Sequence, residues 1–245
     1  MKLWIIPLAG EGKRVKKFGK CKPLIKINGH YILQWFLKGL KTKIKNDDII
    51  LFITNHFQNN SFLLNSKINK IVKKNLKLKS RIIIKTIPYT PLGPAMSVFQ
   101  GIKELDLKCE SIIANHDQFI DFELPSQKCD AFMPIYYNDN PSSSYVNFTR
   151  KKITKISEKK MISNYASSGI YGFKTLSLLK QILIKSLKNK PHFNGEYFIG
   201  PCMNNLIKMN KIILPVKTIF KFELGSVKGI LSFKRNLIKF KNSFY

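Results

Sequence analysis

Apolar runs of strand type and stretches of helical apolar periodicity take turns along the first 114 residues, and this alternation restricts the fold more than any other feature. Residues 3–9 (LWIIPLA), 48–53 (DIILFI), 81–87 (RIIIKTI) and 110–114 (ESIIA) are short apolar runs of the kind that form strands buried on both faces. Between them, Ile32, Leu33, Phe36, Leu37 and Leu40 recur at helical spacing over 31–42, and Leu63, Ile68, Ile71 and Val72 do so over 62–74. Val98, Phe99, Ile102 and Leu105 mark a third helix after the Pro- and Gly-containing loop 88–94. A minor strand is expected over 24–27, ahead of an Asn28-Gly29 turn. Strands and helices alternating at this pace imply βαβ units in an α/β, Rossmann-like fold. Its sheet is mixed but mostly parallel, flanked by helices, with ligands at the carboxyl ends of the strands.

From Ala131 onward the rhythm changes. Strands are expected over 131–137, 145–148, 153–156, 168–173 and 212–219, the second and third forming a hairpin over Arg150-Lys151. Helices are expected over 176–187, around 197–209 and over 227–240. This half is the smaller β-rich subregion of the fold. With no internal repeat, low-complexity linker or composition break, 1–245 reads as a single domain.

The chain carries 43 Lys+Arg against 14 Asp+Glu, a formal charge of +29. The lysines are scattered over every segment and accompanied by abundant Ile and Asn, as AT-rich coding produces, without a basic tail, zinc-knuckle spacing or RNA-motif aromatics. No specific nucleic-acid partner is expected, although a broadly positive field attracts phosphorylated substrates. Cys21, Cys109, Cys129 and Cys202 stand far apart, as reduced thiols do, and His30, His56, His116 and His192 form no zinc-type set. No apolar run approaches the roughly 18 residues of a membrane span, and the N-terminus enters a strand without a charged leader, so a cytoplasmic location is expected.

The first strand empties through Leu8 and Ala9 into Gly10-Glu11-Gly12-Lys13-Arg14, and Lys22-Pro23-Leu24 follows. Glycines let the backbone approach a ligand with its N–H groups, and Lys and Arg supply charge for phosphate. Gly-x-Gly alone reads equally well as a tight turn after a strand, and it is neither a dinucleotide fingerprint nor a P-loop. Past the 110–114 strand, Asn115-His116-Asp117-Gln118 places a carboxylate where phosphates would lie; Asp117 suits either Mg²⁺ or a turn cap. His116 reads as a hydrogen-bonding group, Trp4 as core and His192 as a loop residue. Ser142-Ser143-Ser144 reads as a loop, or as a lid.

Taken in order, Gly10-x-Gly12-x-Arg14, Lys22-Pro23-Leu24 and Asn115-x-Asp117-Gln118 resemble the motifs of the sugar-phosphate nucleotidyltransferase family. The opening is similar to the branch carrying N-x-D-Q, associated with bacterial surface polysaccharide. Further matches are Leu92-Gly93-Pro94-Ala95, Glu158-Lys159, Ser168-Gly169-Ile170-Tyr171-Gly172-Phe173, Asn194-Gly195-Glu196-Tyr197 and Leu224-Gly225-Ser226. The resemblance implies NMP transfer from an NTP to a phosphorylated acceptor, most readily a sugar 1-phosphate, with pyrophosphate released. Residues 1–125 would be the nucleotide-binding half and 126–245 the acceptor half.

It further implies that Leu8, Ala9, Gly10, Gly12 and Lys13 wrap the triphosphate with Arg14, that Lys22 reaches the α-phosphate, and that Gly93 lies against the base. Asp117 and Glu223 would hold Mg²⁺, with Glu223 standing where much of the family has Asp. Glu158, Lys159, Gly169 and Glu196 would bind the acceptor. Glu11 departs from expectation as an acidic residue beside the triphosphate and should point outward. Other outcomes are transfer onto an amino-alcohol or polyol phosphate, and a non-catalytic nucleotide-binding module. The assembly is left open, a homo-oligomer included.

Overall fold

A computed structural model describes residues 1–76, 79–141, 143–190 and 192–239. Strand β1 (Lys2–Pro7) leads into the glycine loop and a 3-10 helix over Lys13–Phe18. Residues Lys22–Leu24 form a second 3-10 turn, and only β2 (Lys26–Ile27) pairs, in a ribbon with β3 (His30–Tyr31). The strand expected at 24–27 is thereby shortened, because the fixed φ of Pro23 suits the opening of a turn. Helix α1 (Ile32–Leu40) and strand β4 (Ile49–Asn55) follow as expected.

The helix expected at 62–74 is broken. It becomes α2 (His56–Phe62), α3 (Leu64–Lys70) and a π-type turn over Ile71–Leu76. Leu63 sits at the break with φ 50° and lies 64% exposed, so Leu64, not Leu63, reaches the core.

Strand β5 (Arg81–Ile87), helix α4 (Pro94–Ile102) and β6 (Glu110–Ala114) complete the βαβ series. A strand with no counterpart among the expectations comes next, β7 (Gln118–Phe122). Then come β8 (Ala131–Tyr137) and the hairpin of β9 (Ser144–Thr149) and β10 (Lys152–Glu158), turning at left-handed Arg150 and Lys151. The expected 168–173 strand resolves into β11 (Tyr165–Ser167) and β12 (Ile170–Phe173), separated by Gly169 at φ +81°. Helix α5 (Leu176–Leu187) is intact, whereas the 197–209 helix divides into α6 (Ile199–Cys202) and α7 (Asn204–Lys208). Strand β13 (Ile213–Glu223) outruns its expected end, and α8 (Val227–Lys239) closes the description. Ser142 and Phe240, included in the expected serine loop and closing helix, lie outside the described residues.

Eleven strands among the described residues form one mixed sheet, with the path β10-β9-β11-β8-β12-β6-β1-β4-β5. Strands β6, β1, β4 and β5 run parallel, as the βαβ pattern requires. Antiparallel β12 then joins this block to the β-rich half. Strand β13 pairs in parallel with β8 and then, past a bulge between Thr218 and Phe220, antiparallel with β7.

Period-2 alternation divides the core even where every residue is apolar. Leu3 and Ile5 of β1 face α4 and α5 together with Leu51, Ile53 and Ile113, while Trp4 and Ile6 face Phe36, Leu37 and Leu40 of α1. Trp4 is fully buried and donates Nε1–H to Asp48 Oδ2 at 3.0 Å, which satisfies its one polar atom. A third cluster sets Ile230 and Phe233 of α8 against Val15, Ile25, Ile27 and Leu224, pinning the basic 3-10 segment to the end of β13. The four cysteines are unpaired. No helix among the described residues is long and apolar enough to cross a membrane.

Candidate active site

The carboxyl ends of β1, β4 and β6 lie side by side, so the segments that leave them share one edge of the sheet. Leu8 N donates to Ile53 O (2.7 Å) and Leu8 and Ala9 remain buried, so the chain first becomes exposed at Gly10. Three successive carbonyls of this loop are occupied from behind. Gln58 Nε2 donates to Leu8 O (2.8 Å) and Gly10 O (3.0 Å), and Asn55 Nδ2 donates to Ala9 O (2.9 Å). Gly12 has φ +67°, and a Cβ there would lie 2.8 Å from Lys22 Cβ, so a side chain is opposed both by the backbone and by Lys22. Lys13 pairs at 3.0 Å with Glu11, and both side chains are exposed.

Lys22, on the short turn that Pro23 opens, extends under the loop to place Nζ 2.7 Å from Asp117 Oδ2. Arg14 approaches the same oxygen at 3.8 Å and Glu223 Oε1 at 3.9 Å. Burial works against the charge on Asp117, but the Lys22 ammonium, aided by His116 and Arg14, outweighs it and holds the carboxyl well below the usual carboxylate range. The ionised form is thus the resting form at neutral pH.

Two glycine-dependent contacts fix this carboxylate and the loop opposite. A Cβ on Gly225 would stand 2.5 Å from Asp117 Oδ2. Leu224 N donates to Asp117 O at 2.7 Å, and Glu223 lies opposite Gln118 in the β13–β7 ladder. Gly93, at φ +92°, presses against the backbone of Tyr197, whose N–H donates to Leu92 O (2.9 Å) and whose carbonyl accepts from Ala95 N (3.0 Å). The loop before α4 is thereby tied to the 192–198 loop that carries Glu196.

The β-rich half contributes Glu158 and Lys159 at the end of β10. Burial pushes the Glu158 carboxyl up, opposed by a hydrogen bond from Ser144 Oγ–H and by Lys159, and reinforced by the charge on Glu196. Lys159 has φ 50° and its N–H donates to Ser143 O at 2.9 Å. Its ammonium rests over the rings of Phe193 (4.5 Å to the centroid) and Phe198 (5.0 Å). Gly169 packs against Asn115 and Gln118, the neighbours of Asp117.

The structure therefore gathers Arg14, Lys22, Asp117 and Glu223 into one ion-paired group with Gly12 packed on Lys22, and brings Glu158, Lys159 and Glu196 near enough for their charges to be felt at Glu158, with Gly93 contacting the loop that carries Glu196. Lys13 is engaged with Glu11 and makes no ion pair with the Asp117 group. His192 serves its own loop, where Nδ1 accepts from Phe198 N at 2.9 Å. His116 is buried, its Nδ1 is 3.0 Å from Pro7 O, and its Nε2 has no partner. Nothing in the sequence points to Asn55 and Gln58, and Gly225 is marked there as part of a motif but not as a residue packed on Asp117. A helix cap in the sequence carries no sign that its amide also reaches carbonyls more than 40 residues away.

Mg²⁺ takes oxygen ligands and is commonly held by one or two carboxylates together with substrate phosphates. Asp117 and Glu223, each near Arg14, are carboxylates of that kind, and among the described residues no group of three or more His, Cys, Asp or Glu could hold the ion without substrate oxygens. The residues fit a Mg²⁺ completed by substrate.

No protein-family model and no curated protein matches the chain. Solved structures do match. The nucleoside-diphosphate-sugar pyrophosphorylase of Vibrio cholerae superposes with a TM-score of 0.81 at 20% identity, covering 95% of this chain and 99% of that one. The inositol-1-phosphate CTP transferase of T. maritima gives 0.74 at 16% identity, covering 100% and 98%. A UDP-glucose pyrophosphorylase complexed with UDP-glucose gives 0.75 at 15% identity, covering 98% and 99%. The likeness establishes a shared fold over nearly the full length of each chain.

Proposed function

We propose that this chain is a nucleotidyltransferase of the sugar-phosphate type. It moves NMP from an NTP onto a phosphorylated small acceptor, in the first instance a sugar 1-phosphate, and releases pyrophosphate. The observation that carries the reading is the convergence of Lys22 and Arg14 on ionised Asp117, with Glu223 beside it, under a glycine loop at the carboxyl ends of parallel strands. A phosphate site needs cations, a hard-metal site needs carboxylates, and a cluster holding both suits a reaction between two anions.

In this reading an acceptor phosphate oxygen attacks the α-phosphorus in line. The new P–O bond forms as the bond to the bridging oxygen of pyrophosphate breaks, and the electron pair leaves with pyrophosphate. The acceptor is already ionised at neutral pH, so no strong general base is required, and the cluster offers no Ser/His or Cys/His pair. The exposed amides beyond Gly10 orient the triphosphate. Lys22 and Arg14 neutralise charge gathering on the α-phosphate and the leaving group. Asp117 and Glu223 would hold Mg²⁺, which when bound supplies charge neutralisation between the two substrates.

Lys159 takes the acceptor phosphate, and Glu158 and Glu196 accept hydrogen bonds from acceptor hydroxyls. The two halves act as one unit, in the cytoplasm, to produce a nucleotide-sugar for surface polysaccharide. The test is pyrophosphate release from each of four NTPs against sugar, polyol and amino-alcohol phosphates with Mg²⁺. Release with one NTP–acceptor pair supports the reading and names both substrates. Tight nucleotide binding with no release across the panel replaces it with a binding module.

A further inference from the structure

Asn55 and Gln58 form a capping box at the start of α2. Asn55 Oδ1 accepts from Gln58 N at 2.8 Å, and Gln58 Oε1 accepts from Asn55 N at 3.4 Å. A cap of this kind uses only the side-chain oxygens. Here the amide nitrogens are used as well, and all four of their hydrogens are accounted for. Gln58 Nε2 gives one each to Leu8 O and Gly10 O, and Asn55 Nδ2 gives one each to Ala9 O and Thr90 Oγ1, the last at 3.2 Å. Both residues are at least 95% buried, so these bonds are shielded from competing water.

Turning three consecutive carbonyls toward α2 restricts the peptide planes of residues 8–11, and so the directions in which the loop's N–H groups point. Thr90 lies on the loop leading to Gly93. One amide group, that of Asn55, therefore touches both the glycine loop and the loop assigned to the base. We propose that Asn55 and Gln58 are positioning residues that hold the triphosphate loop in register with the base loop. This rests on the nucleotidyltransferase reading for its functional half, while the clamp itself is a property of the chain alone.

Gln58→Glu separates the cap from the clamp. The introduced carboxyl keeps the oxygen that caps Asn55 N but, when ionised, presents no donor to Leu8 O and Gly10 O. Asn55→Asp does the same at Ala9 O, while the Thr90 hydroxyl can turn to donate to the new carboxylate. Amide hydrogen exchange read along the chain, with NTP and acceptor KM values, tests the idea on the full-length protein. In Gln58→Glu, residues 8–12 should exchange about tenfold faster while α2 stays protected, and KM for NTP should rise about tenfold with KM for acceptor unchanged. The NTP defect should shrink in part at low pH, where a protonated carboxyl donates its single hydrogen to one of the two carbonyls.

Unchanged exchange at residues 8–12 would overturn the clamp. Faster exchange with an unchanged KM for NTP would overturn the positioning role. If wild-type protein binds no NTP at all while the variant loop still loosens, the clamp stands and the nucleotidyltransferase reading falls.

Discussion

Gly225→Ala isolates what the position of Asp117 is worth. The added methyl would sit 2.5 Å from Asp117 Oδ2 and 3.1 Å from its Cγ, against a comfortable separation of about 3.5 Å. Gly225 does not have a left-handed φ, so alanine is acceptable to the backbone and the carboxylate must give way, by about 1 Å. A shift of that size in Asp117 Oδ2, away from the methyl, displaces the acceptor of the 2.7 Å contact that Lys22 makes and spoils its geometry. Misplacement of about 1 Å in such a site costs about 100-fold in rate. We expect kcat for pyrophosphate release to fall by about that factor, with a thermal midpoint within a few degrees of wild type. Lys22→Met should also slow turnover, and the double variant should be little worse than the more severe single one, since both changes break the same contact. Wild-type kcat in a folded Gly225→Ala protein would refute the reasoning, and so would fully additive losses.

Other outcomes follow from the same geometry. Gly10→Ala meets no protein atom within 4 Å and has no left-handed φ to strain, so stability should hold while KM for NTP rises several-fold; an unchanged KM would remove Gly10 from the nucleotide's path. Glu223→Ala should lower kcat by about 100-fold and raise the Mg²⁺ concentration needed for half-maximal rate, and near-normal turnover would withdraw Glu223 from the metal pair. For His116, burial and the Lys22 charge lower the imidazole to about 4 from an ordinary 6.5. The folded state thus binds fewer protons than the unfolded state between those values. The contribution is complete above pH 6.5 and is lost as pH falls through about 4, a change of about 3 kcal/mol. Denaturant titrations at several pH values should show this loss in wild type and its absence in His116→Asn; equal slopes would contradict it.

The parallel half of the sheet was legible in the sequence because its strands are short apolar runs bounded by turn residues, as Arg81–Ile87 and Glu110–Ala114 show. Strand β7 was not. Gln118–Phe122 follows the acidic turn directly, and its alternation of buried and half-buried residues has meaning only once β13 lies beside it. The break at Leu63 escaped because Leu63 and Leu64 are adjacent apolar residues, and only tertiary packing decides which one faces inward. Within the site, charged residues announced themselves by type and motif. Asn55, Gln58 and Gly225 act through amide donors and missing atoms, which have a role only when a distant segment arrives.

The bulge in β13 governs which chemistry the strand delivers. Thr218 stands opposite Phe122 and Phe220 opposite Asp121, so Ile219 is the extra residue, and it projects 51% exposed. Were Ile219 paired instead of bulged, regular pairing from Thr218 would set Phe222 against Gln118 and carry Glu223 one step past the ladder's end. Near Arg14 the strand would then present a ring instead of a carboxylate. The supernumerary residue, four positions upstream, absorbs one step of the strand, so deleting Ile219 itself should leave Glu223 opposite Gln118, whereas deleting a paired residue from 220–222 should move Glu223 out of register and be far more damaging than a substitution there.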